Sequence, residues 1–157
     1  MNSVVIYGSR HGNTHKVAEA IAVELRKHGA VQVLAAEMVP TSFPEHTDLV
    51  VVGGPTEAHR MSLPVAELFN RLSDGALAGK AAAAFDTRLR WPEWLSGSAG
   101  AGIARKLKQA GARLITPEMS FLVSGKLPVL EPGEVERAAA WGALLAAKAQ
   151  SQVPLKV

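Results

Sequence analysis

Residues 3–14 read Ser-Val-Val-Ile-Tyr-Gly-Ser-Arg-His-Gly-Asn-Thr, and this stretch decides the fold. Its first half is an unbroken apolar run that stops at Gly8, which is typical of a fully buried strand. From residue 13 the spacing becomes helical, because Val17, Ile21 and Leu25 recur on one face. Gly29 then ends the helix. The sequence therefore predicts a buried strand, a glycine-containing loop and an amphipathic helix over 13–28.

The rest of the chain repeats this alternation of apolar strands and amphipathic helices. Further strands are predicted at 31–36, 48–53, 80–85 and within 113–123, the last bent around Pro117. Further helices are predicted at 65–72, 98–111 and 134–148. Strands that are apolar along their whole length need cover on both faces, which crossover helices provide. We therefore predict one domain over residues 1–157, an α/β doubly wound five-stranded parallel sheet with helices on both faces.

One link of the predicted fold lacks a clear helix. The link between the second and third strands, 38–47, contains Pro40 and Pro44 and shows no helical pattern, so we expect a loop or a single turn there. We find no internal repeat and no linker that would divide the chain.

Composition excludes several classes of protein. The 157 residues include no cysteine, which removes disulfides, thiolate metal sites and cysteine nucleophiles, and fits a cytoplasmic protein. No apolar run approaches the ~20 residues of a membrane helix, and no secretory leader is visible. The net charge of +3 comes from scattered basic residues rather than a basic stripe, so neither nucleic acid nor membrane is an expected partner. His11 and His15 lie at a helix start without nearby carboxylates, so we expect no metal site.

The loop between the first strand and the first helix has the features of a phosphate site. Several amide N–H groups at a helix N-terminus lack intrahelical partners, and the helix dipole favours an anion there. Ser9, Asn13 and Thr14 add side-chain donors, and Gly12 permits close approach of the backbone. The loop is not a P-loop, since no lysine follows Gly12, and Arg10 breaks the dinucleotide fingerprint. An ordinary strand-to-helix turn remains the alternative.

Residues 9–14, Ser-Arg-His-Gly-Asn-Thr, resemble the phosphate loop of flavodoxins, which is usually written Ser/Thr-x-Thr-Gly-x-Thr. The match holds at Ser9, Gly12 and Thr14, and His11 replaces the middle hydroxyl. The resemblance covers nearly the whole chain in element order and is similar to the short-chain type. It implies FMN as cofactor and the strand order 2-1-3-4-5. The cofactor-binding residues that it implies in this loop are Ser9, Arg10, His11, Gly12, Asn13 and Thr14.

Two later loops resemble the flavin-contacting loops of the same family. After the third strand, Gly53 and Gly54 would let the backbone approach a flat ring, and the contacts implied there are Pro55, Thr56, Glu57, Ala58 and His59. After the fourth strand, the implied contacts are Asp86, Thr87, Arg88, Trp91 and Trp94. Each of these two tryptophans could stack on a flavin or pin its loop to the domain. Tyr7, Phe85 and Trp141 lie within predicted strands or a helix and are expected in the core.

The resulting functional hypothesis is an FMN-dependent electron-transfer protein. Flavodoxins that carry electrons are generally acidic, whereas this chain carries His59, Arg60, Arg88 and Arg90 in its flavin-facing loops. Nearby cations should make the flavin easier to reduce and favour a redox partner with an acidic docking face. Two alternatives stay open. One is an FMN-dependent quinone or small-molecule oxidoreductase with a pocket lined by His59, Trp91 and Trp94, and the other is a flavodoxin-like domain that binds no flavin.

Overall fold

A central sheet of five long parallel strands and three short ones organises residues 1–152, which the computed structural model describes. The last five residues of the predicted domain, 153–157, lie outside the described residues. The strands in chain order are β1 Ser3–Tyr7, β2 Val31–Ala35, β3 Leu49–Glu57, β4 Arg60–Met61, β5 Ala81–Leu89, β6 Arg113–Leu114, β7 Met119–Ser124 and β8 Val129–Leu130. The long strands lie in the order β2-β1-β3-β5-β7 and pair in parallel. Because β5 and β7 are the fourth and fifth long strands along the chain, this confirms the predicted order 2-1-3-4-5.

The three short strands extend or complete the long ones. β4 is antiparallel to β3, and β8 is antiparallel to β7. β6 and β7 both pair in parallel with β5, at its beginning and at its end. They are the two halves of the predicted fifth strand, and the interruption between them contains Pro117, which has no N–H to donate to the sheet. The predicted bend is therefore a break.

The described residues form five helices: α1 Asn13–Leu25, α2 Leu63–Arg71, α3 Glu93–Ser96, α4 Ala99–Gln109 and α5 Glu134–Ser151. All but the short α3, which buries no residue, cover the two faces of the sheet. Because neighbouring residues of a strand point to opposite faces, Val51 packs with α1 and α5, and Val50 packs with α2 and α4. Both faces are thus buried, which explains why the strands are apolar throughout. Among the described residues, none of the helices has the length and apolar character needed to cross a membrane.

The core under α5 is built around an aromatic cluster. Phe85, Phe121 and Trp141 meet edge to face at ring distances of 6.0 to 6.1 Å. The core positions predicted for Phe85 and Trp141 are confirmed, since they are 0% and 3% exposed. Tyr7 is half-buried and stacks on His15 at 4.3 Å. A Cβ at Gly53 would lie 2.2 Å from the Phe85 ring. Packing against Phe85 therefore requires glycine at position 53.

Several predicted boundaries were wrong. β3 continues to Glu57 and β5 to Leu89, so segments expected to be loops are strand. The reason is pairing, because Gly54 faces Asp86 and Pro55 faces Thr87 in a continuous parallel register. The first helix ends at Leu25 and is followed by a 3-10 turn, Arg26–His28. The link between β2 and β3 begins with a single 3-10 turn, Ala36–Met38, in agreement with the prediction.

Candidate functional site

The loop between β1 and α1 presents a group of unpaired amides. Gly12 takes a left-handed conformation, with φ of 82°, and directly precedes the helix. Within the described residues no side chain caps the helix, and of the amides of residues 9–14 only that of Gly12 has an acceptor: it donates to Ser9 Oγ at 2.9 Å. Within residues 1–152, the amides of Arg10, His11, Asn13 and Thr14 donate to no protein acceptor. A helix N-terminus with free amides is an anion site.

Two side chains of this loop tie it to other parts of the sheet edge. Thr14 is 2% exposed, and its hydroxyl lies 3.0 Å from the hydroxyl of Thr87 at the end of β5. Asn13 donates from Nδ2 to the carbonyl of Pro128 at 2.7 Å. The Asn13 side chain is thus bound to the backbone of Pro128, and the Thr14 side chain to Thr87. These two hydrogen bonds fix the loop in the conformation that leaves its amides free.

A cleft of about 340 Å³ opens above this loop, at the carboxyl ends of the strands. Ligands of doubly wound folds bind at this edge, and the volume is in the range of small-molecule sites. The cleft is lined by Ser9, Arg10, His11, Asn13, Thr14, Pro55, Thr56, Glu57, Thr87, Arg88, Leu89, Val123, Gly125, Lys126 and Pro128. It brings together the predicted phosphate loop and parts of both predicted flavin loops.

A second cleft of about 240 Å³ adjoins the first and shares Thr56, Arg88 and Leu89 with it. Its remaining lining residues are Ala58, His59, Trp91, Leu95 and Ser96. Thirteen of the sixteen residues predicted to bind the cofactor line one or both of the two clefts. The three that line neither cleft are Gly12, Asp86 and Trp94.

These three residues have other positions. Gly12 contributes only backbone to the turn. Asp86 is fully buried, and its Oδ2 accepts hydrogen bonds from Ser98 Oγ at 2.8 Å and from the Gly100 amide at 2.9 Å. It therefore binds the N-terminus of α4. Trp94 lies on α3 and is 85% exposed, so it does not pin its segment to the domain.

The turn beside the second cleft is strained. Ala58 and His59 connect β3 to β4 with φ of 45° and 68°, and they are the non-glycine residues with positive φ among those described. Such a two-residue hairpin turn ordinarily uses Asn-Gly. The backbone of His59 pairs with Gly97, where a Cβ would lie 2.5 Å from it. A strained conformation held by a close neighbour is frequent at binding sites.

The sequence prediction missed the hairpin between β7 and β8. Gly125, Lys126 and Pro128 line the first cleft, and Lys126 brings a cation to it. A signal was present, because this turn follows the fifth parallel strand and must therefore lie at the same edge as the other loops. Arg90, expected to face a flavin, instead pairs with Glu131 next to this hairpin, with Nε 3.1 Å from Oε1. That hydrogen bond raises the pKa of Arg90 and lowers the pKa of Glu131.

A comparison of the sequence with models of protein families shows to which family the chain belongs. The model described as the flavodoxin domain matches residues 4–119, which include nearly all of the first four long strands and the loops that follow β1, β3 and β5, but not the hairpin between β7 and β8. The chain belongs to the flavodoxin family. Membership implies FMN as the cofactor and electron transfer to redox partner proteins as the general activity. No curated protein sequence matches the chain.

Solved flavodoxins have the same fold along their whole length. A flavodoxin from the domain Archaea is 26% identical, with a TM-score of 0.79, over 96% of this chain and 99% of that one. Flavodoxin 1 of Bacillus cereus is 22% identical, with a TM-score of 0.76, over 98% and 99%. A flavodoxin of Streptococcus pneumoniae is 22% identical, with a TM-score of 0.77, over 94% and 99%. The last two likenesses concern the fold alone.

The residues present in this flavodoxin fit FMN. Free amides and the N-terminus of α1 suit a phosphate, and the clefts continue from there past Thr56 and Thr87 towards Trp91. His11 replaces a hydroxyl residue of the family loop, but this leaves the backbone amides available, because the amide of His11 itself has no acceptor within residues 1–152.

Proposed function

We propose that this chain binds one FMN across the two adjoining clefts and carries electrons between partner proteins. The observation that carries the proposal is the group of amides without a protein acceptor at the start of α1 within residues 1–152, among them those of Arg10, His11, Asn13 and Thr14. Arg10 and His11 are exposed, so their amides are open to a ligand, and a phosphate at the start of α1 would accept hydrogen bonds where the helix dipole favours an anion. The hydroxyls of Ser9 and Thr14 would complete the phosphate contacts.

The second cleft would hold the flavin ring. Trp91 is 53% exposed and lines this cleft, so its ring is available for stacking. His59 lines it from the strained hairpin turn. FMN supplies the redox chemistry when bound. The protein holds the cofactor through its phosphate, covers one part of the ring and leaves the outer rim of the cleft open to a partner.

We further propose that the partner has an acidic docking face. Lys126, His59 and Arg60 are exposed around the clefts, and the chain has a net charge of +3. Trp94 on α3, which is 85% exposed, offers an apolar contact, and exposed tryptophans often dominate the binding energy of protein interfaces. Electrostatic attraction of this kind raises the association rate and is weakened by salt. A cytoplasmic location remains a prediction that cell fractionation would test.

Titration with FMN, with riboflavin as the matched control, tests the cofactor proposal. We expect FMN to lose fluorescence and to bind at least tenfold more tightly than riboflavin, because only FMN carries the phosphate that the amides would bind. Equal affinity for the two would contradict the proposed orientation, and no binding of either would identify a domain without flavin.

A second assay separates a carrier from an enzyme. A carrier should exchange electrons with acidic redox proteins, at a rate that falls as salt is raised from low to physiological concentration. Rapid turnover of NAD(P)H with small quinones, at a rate independent of a protein partner, would instead identify an oxidoreductase.

A further inference from the structure

Arg88 occupies the junction of the two clefts. It lies near the end of β5 and is the cationic side chain that lines both of them within the described residues. Its Nη1 donates to the carbonyl of Trp91 at 2.9 Å and to Ser96 Oγ at 3.4 Å. Its Nε is buried and has no acceptor within residues 1–152. The guanidinium is therefore held in place by the neighbouring segment while one of its donors remains unsatisfied.

The other arginines near the clefts are engaged or more exposed. Arg90 is bound to Glu131, and Arg10 lies 4.0 Å from Glu57 with its side chain largely in solvent. Glu57 is also the one carboxylate that lines either cleft among the described residues. Arg88 is consequently a fixed, partly buried positive charge that forms no ion pair with any residue of 1–152.

We propose that Arg88 selects the redox state of the bound cofactor by binding reduced FMN more tightly than oxidised FMN. This inference rests on the proposed binding of FMN. Uptake of two electrons and one proton leaves one negative charge on the flavin ring. A cation that is held in place and partly removed from water attracts that charge more strongly than a mobile surface cation does. Tighter binding of the reduced form means a higher midpoint potential.

Arg88 also positions the segment that carries Trp91, so charge and positioning must be separated. Arg88→Gln removes the charge. Arg88→Lys keeps the charge but loses the two-pronged contact with Trp91 and Ser96. Ser96→Ala removes one acceptor and leaves the charge. Arg105→Gln on the exposed side of α4 removes an equal charge at a residue that lines neither cleft, and is the control for net charge.

The experiment measures two quantities for each variant: the Kd of oxidised FMN and the two-electron midpoint potential of the bound flavin. For Arg88→Gln we expect the preference for reduced over oxidised FMN to fall about tenfold, which corresponds to about 30 mV for a two-electron couple. Arg88→Lys and Ser96→Ala should each lose less than half of that preference, and Arg105→Gln less than a third.

Three results would overturn the role of Arg88. They are an Arg88→Gln potential equal to that of the wild type, an Arg105→Gln shift as large as the Arg88→Gln shift, and a wild-type potential below that of free FMN. The last needs no variant, so the proposal stays testable if Arg88→Gln does not fold. Failure of the wild type to bind FMN would instead overturn the proposed function itself.

Discussion

Replacing Gly12 by alanine should destabilise the FMN-bound protein relative to the unfolded chain, through backbone strain alone. Gly12 has φ of 82° and ψ of −6°, and a Cβ built on it meets no atom within 4 Å. No collision is therefore created, and the cost is that of a left-handed alanine, about 1 kcal/mol or slightly more. We expect the FMN-bound protein to lose about this much free energy, measured as the sum of the change in unfolding free energy of the apoprotein and the change in binding free energy.

How that loss divides depends on whether the empty loop relaxes. If the loop keeps its conformation without FMN, the whole loss appears as lower stability of the apoprotein. If the empty loop relaxes and FMN restores it, the loss appears in Kd, where 1 kcal/mol corresponds to roughly fivefold weaker binding. Urea unfolding of the apoprotein and fluorescence titration with FMN give the two parts.

Gly133 provides a matched control. It precedes α5 in nearly the same conformation, with φ of 87° and ψ of −9°, and a Cβ there is equally free of neighbours. Gly133→Ala should cost a similar amount of stability and leave the Kd for FMN unchanged. The reasoning is refuted if Gly12→Ala leaves both stability and affinity at their wild-type values, or if Gly133→Ala weakens FMN binding as much as Gly12→Ala does.

Three further predictions follow from local geometry. Gly53→Ala should lower the unfolding free energy by about 1–3 kcal/mol, because the new methyl group collides with the Phe85 ring; a loss below about 0.5 kcal/mol in urea unfolding would contradict the close packing. Ala58→Gly should raise the unfolding free energy by about 0.5 kcal/mol, since relief of left-handed strain exceeds the added freedom of glycine in the unfolded chain; urea unfolding that shows a loss would argue against strain in the turn. Arg90→Ala should raise the pKa of Glu131 towards its ordinary value of 4.5, because the hydrogen bond from Arg90 lowers that pKa. The stabilising effect of this pair should be present above pH 4.5 and disappear as the pH falls through the lowered pKa of the folded state, and an NMR titration in which the Glu131 pKa is the same in both proteins would contradict it.

The sequence predicts the central strands best, because a continuous apolar run of this length is stable only when both of its faces are covered. The continuous apolar run at 49–52 requires cover on both sides, and the structure provides it, with Val50 and Val51 facing opposite layers. The core position of Trp141 is predicted equally well, because its helical spacing places it on the buried face of α5. Pro117 lies in the break between β6 and β7, where its missing N–H leaves the strand without a donor to the sheet.

The errors arise where the partner of a residue is distant in sequence. Thr87 and Arg88 are polar, and local composition favours a loop, yet pairing with β3 and β7 keeps them in a strand. The packing of Gly53 against Phe85 is not visible in the sequence because the two residues lie thirty-two positions apart. The hairpin that brings Lys126 to the cleft was overlooked because its residues have no recognisable motif. Its position follows from topology and not from composition.

The central claim is that the amides of residues 10, 11, 13 and 14 bind the phosphate of FMN. Backbone amide NMR of the apoprotein, titrated separately with FMN and with riboflavin, tests this most directly. We expect these four amide protons to move downfield by a large amount with FMN and far less with riboflavin, whereas the signals of Trp91 and His59 should respond to both. If the four amides respond equally to the two flavins, or do not respond while FMN binds, the phosphate lies elsewhere and the account is wrong.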